Sequence, residues 1–97
     1  MTDPDIRLEE TAEGGVYVAI MPDGSTARLD FTKVGENRII ATHTFVPVPY
    51  RGEGVGEALA LRLFKDARAR GLTIRPACWF VRDELDRLSP EWDDVRS

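Results

Sequence analysis

Arg51-Gly52-Glu53-Gly54-Val55-Gly56 carries a β-rich run into a helix, and its residue types are those of an anion site. Three glycines in five positions expose backbone N–H groups with no Cβ in the way. The helix that follows adds its own unpaired N–H groups and the positive end of its dipole. Together these make a pocket suited to phosphate. A glycine cluster by itself is more often a flexible turn. Here the strand before, the helix after and Arg51 beside the glycines favour anion binding. Two phosphate motifs are excluded by spacing. The dinucleotide pattern G-x-G-x-x-G fails because the sixth position counted from Gly52 is Glu57, and the P-loop fails because no Lys-Ser or Lys-Thr pair follows the glycines.

What remains is Arg51-x-x-Gly54-x-Gly56, which resembles the loop that holds the pyrophosphate of acetyl-CoA in the GCN5-related N-acetyltransferase (GNAT) superfamily. Two more features are similar to very small GNAT-like proteins of the YidJ type. His43-Thr44-Phe45-Val46-Pro47 matches a His-Thr-x-Val-Pro strand end before the loop, and Cys78-Trp79-Phe80 matches a Cys-aromatic pair after the next strand. The resemblance covers nearly the whole chain. It implies that the N–H groups of Gly52, Gly54, Val55, Gly56 and Glu57 hold pyrophosphate. It also implies that Phe45 and Val46 offer main-chain groups to the pantetheine arm in the manner of strand addition. Arg51 is either a charge-assisted donor to phosphate or a solvated loop arginine.

Acetyl transfer to an amine needs a neutral nucleophile, a polarised thioester carbonyl and a proton path for the leaving thiolate. His43, the single histidine, has the pKa range of a base at neutral pH; the alternative is a structural histidine bonded to a neighbouring strand. Cys78 begins the turn into a second helix at the thioester end of the implied cleft. It is either a covalent acetyl acceptor, a partner to CoA in a mixed disulfide, or a buried small hydrophobe. Tyr50 is either a general acid or a packing residue. The tyrosine acid that many GNATs carry after the fifth strand is replaced by Trp79 and Phe80, and the His-Pro of small relatives by Ser89-Pro90.

The elements that must position these groups are legible in the periodicity. Ile6 to Glu10 alternates as a first strand, and Gly14-Gly15 reads as the turn after it. Val16 to Ile20, about Thr26 to Lys33, and Arg38 to Val46 complete an antiparallel meander, with turns at Pro22-Asp23-Gly24-Ser25 and Gly35-Glu36-Asn37. Strict alternation in the fourth strand sets Ile39, Ala41, His43 and Phe45 on one side and Ile40, Thr42, Thr44 and Val46 on the other. A helix from Val55 to Arg70 buries Val55, Leu59, Leu63, Phe64 and Ala67 and stops at Gly71. Leu72 to Cys78 is a fifth strand, parallel to the fourth through a right-handed crossover. Trp79 to Leu88 is a second helix, ended by Ser89-Pro90. Trp92 is expected to close the core beneath it, and Glu91 to Asp94 to be solvated.

This is an α+β fold: about four antiparallel strands, a helix, a parallel fifth strand and a C-terminal helix. The order is that of a minimal GNAT fold lacking the helices usual between the first two strands, which implies an open acceptor site. A chain of 97 residues is expected to form a single domain, 1–97, with its core at about 6–95. No apolar run approaches the roughly 20 residues that span a bilayer. The acidic start, Met1 to Asp5, lacks the layout of a signal peptide, and one cysteine fits a reducing cytoplasm. A net charge of −4 argues against nucleic acid as a partner, and no metal site is expected. The leading expectation is a cytoplasmic acetyltransferase, monomeric or weakly dimeric, using acetyl-CoA and an unidentified amine. The alternatives are a CoA-binding module with weak or no catalysis, and a structural interaction domain.

Overall fold

Four strands alternate apolar and polar residues, and in the computed structural model, which describes residues 5–97, they form a meander: β1 (Ile6–Glu10), β2 (Gly14–Ile20), β3 (Thr26–Val34) and β4 (Arg38–Phe45). The acidic start lies, in its first four residues, outside the described residues. Helix α1 (Val55–Arg70) crosses to β5 (Thr73–Pro76), which pairs parallel to β4, and α2 (Trp79–Leu88) follows. The sheet order is β1-β2-β3-β4-β5. A single turn of 3-10 helix at Val48–Tyr50 precedes α1, and another at Asp93–Val95 closes the chain.

Both helices cover one face of the sheet. Tyr17, Ala19, Ala27, Leu29, Phe31, Ile39, Ala41 and Ile74 point into it and are buried against Leu59, Leu63, Phe64, Val81 and Leu85. Gly71, with φ 69°, ends α1 by donating its N–H toward the Ala67 and Arg68 carbonyls, a left-handed cap open to glycine at little cost.

Several expectations are corrected. Gly14 and Gly15 are not a turn; both lie in β2. A Cβ on Gly14 would stand 2.3 Å from the Phe31 carbonyl oxygen, and one on Gly15 would stand 2.8 Å from the Phe31 ring, so the glycines admit close approach of β3. The reversal lies just before them, where the Thr11 N–H donates to the Gly14 carbonyl. The fourth strand stops at Phe45 instead of Val46, and the fifth is shorter than Leu72–Cys78 because Pro76 has no N–H to continue the ladder.

The alternation within β4 is broken. Phe31 pairs with Ala41 but Asp30 pairs with His43, so Thr42 is an extra residue, a β-bulge. Ile39 and Ala41 face the helices as expected. Past the bulge the parity reverses: His43 lies opposite Asp30 and Phe45 opposite Arg28 on the bare face, while Thr44 takes the helix side opposite Leu29. The grouping of His43 and Phe45 with Ile39 and Ala41 is therefore wrong.

The acidic tail is not simply solvated. Arg68 grips both Asp94 carboxylate oxygens at 2.7 and 2.9 Å and donates to the Glu91 carbonyl at 2.6 Å. Its guanidinium also lies 4.0 Å from the Trp92 ring centroid. Trp92 is buried in the core and packs on Phe64 of α1.

Candidate functional site

β4 and β5 pair only over Arg38–Ala41 and Thr73–Pro76. The Cys78 N–H then donates to the Ala41 carbonyl at 2.8 Å, and the chain turns into α2. Beyond that point β4 runs on alone from Thr42 to Phe45 on its β5 flank, and a bulge there adds to the strand's twist. The two strands thus diverge, and the N-termini of α1 and α2 meet over the gap.

The gap is a cavity of about 440 Å³, within the size range of small-molecule sites. Thr44, Phe45 and Val46 form its strand wall; Tyr50, Arg51 and Gly52 its loop wall; Val55, Gly56 and Glu57 its helical wall; Trp79 and Phe80 the wall from α2. Seven of the eight residues expected to bind cofactor therefore come together: Phe45, Val46, Arg51, Gly52, Val55, Gly56 and Glu57. Gly54 is the exception. It sits at the N-cap of α1 with φ 86°, and with Gly52 at φ 84° it shapes the turn without lining the cavity. Both conformations are ones that L side chains rarely adopt.

The first backbone bond that closes α1 runs from the Ala58 N–H to the Gly54 carbonyl. Among the described residues no backbone carbonyl accepts from the N–H groups of residues 52–57, the orphan donors of a helix start extended by a glycine turn. Donors of that kind, at the positive end of a sixteen-residue helix, favour an anion. Arg51 is tied to the strand end: its Nε donates to the Val46 carbonyl at 2.9 Å, and its guanidinium stands 6.0 Å from the Phe45 ring centroid. Its Nη groups have no bond among the described residues and stay available. The Val46 carbonyl, expected to serve pantetheine, already accepts one bond.

Gly56 is small for a reason in addition to anion approach. A Cβ there would meet Phe80 Cζ at 2.9 Å and Cε2 at 3.2 Å, so the glycine lets the second helix seat its ring against the first turn of α1. Phe80 in turn holds Trp79 edge-on, with ring centroids 5.9 Å apart, and leaves the indole 68% exposed at the mouth.

The expected catalytic pair is not brought together. His43 is exposed on the bare face, opposite Asp30, and does not line the cavity. Cys78 is buried behind the wall, its Sγ 3.4 Å from Thr44 Oγ1. Tyr50 lines the cavity but turns its hydroxyl toward Asp23. That carboxyl is held below its usual range by the Ser25 hydroxyl first, then by the Ser25 N–H, with Tyr50 contributing. Thr44 was missed as a site residue because its orientation depends on the bulge at Thr42, which no glycine or proline announces. Trp79 and Phe80, which the sequence marks only as standing at a vacant tyrosine position, form the wall from α2. Among the described residues no cluster of metal-ligating side chains occurs, and no helix is long and apolar enough to cross a membrane.

A family model described as GCN5-related N-acetyl-transferase matches residues 16–95. Among curated proteins none matches the chain. Among solved structures, a GCN5-like candidate N-acetyltransferase from Staphylococcus aureus is similar over all of this chain and 91% of its own, with 22% identity and a TM-score of 0.70. A nourseothricin acetyltransferase is similar over 77% of this chain, which spans 59% of that protein, with 22% identity and a TM-score of 0.58. At that identity both likenesses concern the fold.

Proposed function

The chain belongs to the GCN5-related N-acetyl-transferase family, and on that premise we propose that it binds acetyl-CoA in the cavity between β4 and β5 and transfers the acetyl group to an amine. The observation that carries this reading is the run of unsatisfied N–H groups at residues 52–57 on one wall of a cavity whose opposite wall is a strand with no partner on that flank. A pyrophosphate needs the first feature, and an extended amide-bearing arm needs the second. The residues fit such a ligand. Gly52 and Gly54 hold the left-handed turn, the Arg51 Nη groups reach toward charge, and Thr44 stands at the inner end of the strand wall.

Transfer at this site is direct. The amine nitrogen bonds to the thioester carbon, the carbon–sulfur bond breaks, and the ammonium proton passes to solvent or to the departing thiolate. No protein nucleophile is required, and the burial of Cys78 behind Thr44 disfavours an acetyl-cysteine intermediate. The chain's contribution is positioning and electrostatics: the loop fixes the pyrophosphate, and the strand fixes the arm.

A second reading, a CoA-binding module with little catalysis, has one observation in its favour. The ionisable side chains that line the cavity are Tyr50, Arg51 and Glu57, all on the loop and helix walls, and none comes from the strand wall beside Thr44. Release of free thiol from acetyl-CoA over a panel of amines and lysine peptides separates the two. Amine-dependent release supports transfer; binding of CoA without release for any acceptor supports the module.

A further inference from the structure

Neither helix touches the second face of the sheet, and that face is arranged in rows by the strand register. One row runs Arg7, Val18, Arg28, Phe45 across β1 to β4; the next runs Glu9, Val16, Asp30, His43. Every one of these side chains is at least partly exposed. The rows are of opposite charge on β1 and β3 and apolar on β2. Beyond the arginine row on β2 lies Ile20, 46% exposed.

We propose that this bare face is a self-association surface that seats a second copy of the chain, about a two-fold axis running across the strands between the two rows. That operation exchanges the rows. It sets Arg7 against the partner's Glu9 and Arg28 against the partner's Asp30. It also sets Val18 against the partner's Val16 and Phe45 against the partner's His43. Every charged residue of the two rows meets its opposite, and the apolar residues of β2 meet each other at the centre. Sheets that pack face to face stand about 10 Å apart, a gap that arginine side chains from one copy can bridge to carboxylates of the other.

A partner of uniform charge fits less well. An acidic surface laid on the arginine row would press on Glu9 and Asp30 one row away, and a basic surface would do the reverse. A two-fold axis along β2 is excluded too, because it would set Arg7 against the partner's Arg28. Within one chain Arg28 Nε lies 3.8 Å from Asp30 Oδ2, both partly exposed, so the pair is loosely held and can re-pair across an interface. Five strands about 4.8 Å apart and about seven residues long give a face on the order of 600 Å² per copy, smaller than a standard stable interface. The dimer is therefore weak and concentration-dependent. This inference does not rest on the transfer reaction proposed above.

Sedimentation velocity of the full chain over a concentration series tests it, with Arg28→Asp, Asp30→Arg and the double swap Arg28→Asp/Asp30→Arg alongside. The parent is expected to dimerise. Each single reversal places like charges opposite each other twice in the dimer and should raise the dissociation constant at least about tenfold. The double swap restores opposite signs across the axis and should return the constant to near the parent value. Both positions of change are at least partly exposed, and thermal melts check that each variant is folded. A parent that stays monomeric up to about 1 mM would overturn the proposal. So would a double swap no better than the single reversals, which would show that association uses another face.

Discussion

Gly56→Ala should destabilise the parent but not a Phe80→Leu variant. The added methyl would stand 2.9 Å from Phe80 Cζ, 3.2 Å from Cε2 and 3.5 Å from Cε1, the first two closer than a relaxed contact. Overpacking of this kind costs about 1–3 kcal/mol when the neighbour must yield. Alanine returns up to about 1 kcal/mol over glycine in a helix, somewhat less in the first turn. The net expectation is a loss of about 1 kcal/mol, or about 4–8 °C in the melting midpoint for a domain of this size. Leucine at 80 lacks all three of the crowded ring atoms. In that background the propensity gain stands alone, and Gly56→Ala should be neutral or raise the midpoint. Thermal unfolding of the four proteins closes the cycle and isolates the contact. An equal loss in both backgrounds would refute the reasoning, because the methyl would then be clashing with something other than the Phe80 ring. A raised midpoint in the parent would refute it as well.

Arg68→Ala should loosen the C-terminal segment, since it removes the fork on Asp94, the donor to the Glu91 carbonyl and the cation over Trp92 together. Hydrogen exchange at the Val95 and Ser97 amides should accelerate while the β2 and β3 amides hold. Burial first, then the hydrogen bond to Asp66 at 2.8 Å, raises the Tyr17 hydroxyl far above its usual range. A raised folded pKa contributes stability that is fully present below about pH 10 and declines as pH rises past it, so the parent should lose stability in alkali more steeply than Tyr17→Phe. At neutral pH Tyr17→Phe should cost about 1–2 kcal/mol in denaturant unfolding, and no cost would mean that the hydroxyl is equally well served by water. On a validated acceptor, His43→Ala and Cys78→Ala should each keep turnover within about twofold; a folded Cys78→Ala with no turnover would contradict direct transfer.

Both long helices were legible to the residue. Gly54 and Gly71 bracket α1, Ser89-Pro90 stops α2, and these are local signals that packing does not override. The strand order was legible because turns with glycine, proline and asparagine separate clean alternations. What escaped was set by distant partners. Gly14 and Gly15 look like a turn until Phe31 is seen against them. The bulge at Thr42 is marked by no special residue, yet it decides that Thr44 faces the cavity while His43 faces away. The grip of Arg68 on Asp94 spans 26 residues and leaves no trace in either neighbourhood. The glycine turn at the start of α1 was readable because glycine composition and helix start are local. The direction of His43 was not, because it depended on strand parity past the bulge.

The central claim is that residues 52–57 bind the pyrophosphate of CoA. Titration of the labelled chain with CoA, followed by backbone amide shifts and by heat, tests it most directly. Saturable shifts concentrated at Gly52 to Glu57 and along Thr44 to Val46, lost in Gly54→Val but only weakened in Arg51→Ala, are the predicted result. Unchanged affinity in Gly54→Val, or the absence of both heat and shifts with CoA and acetyl-CoA, would contradict it.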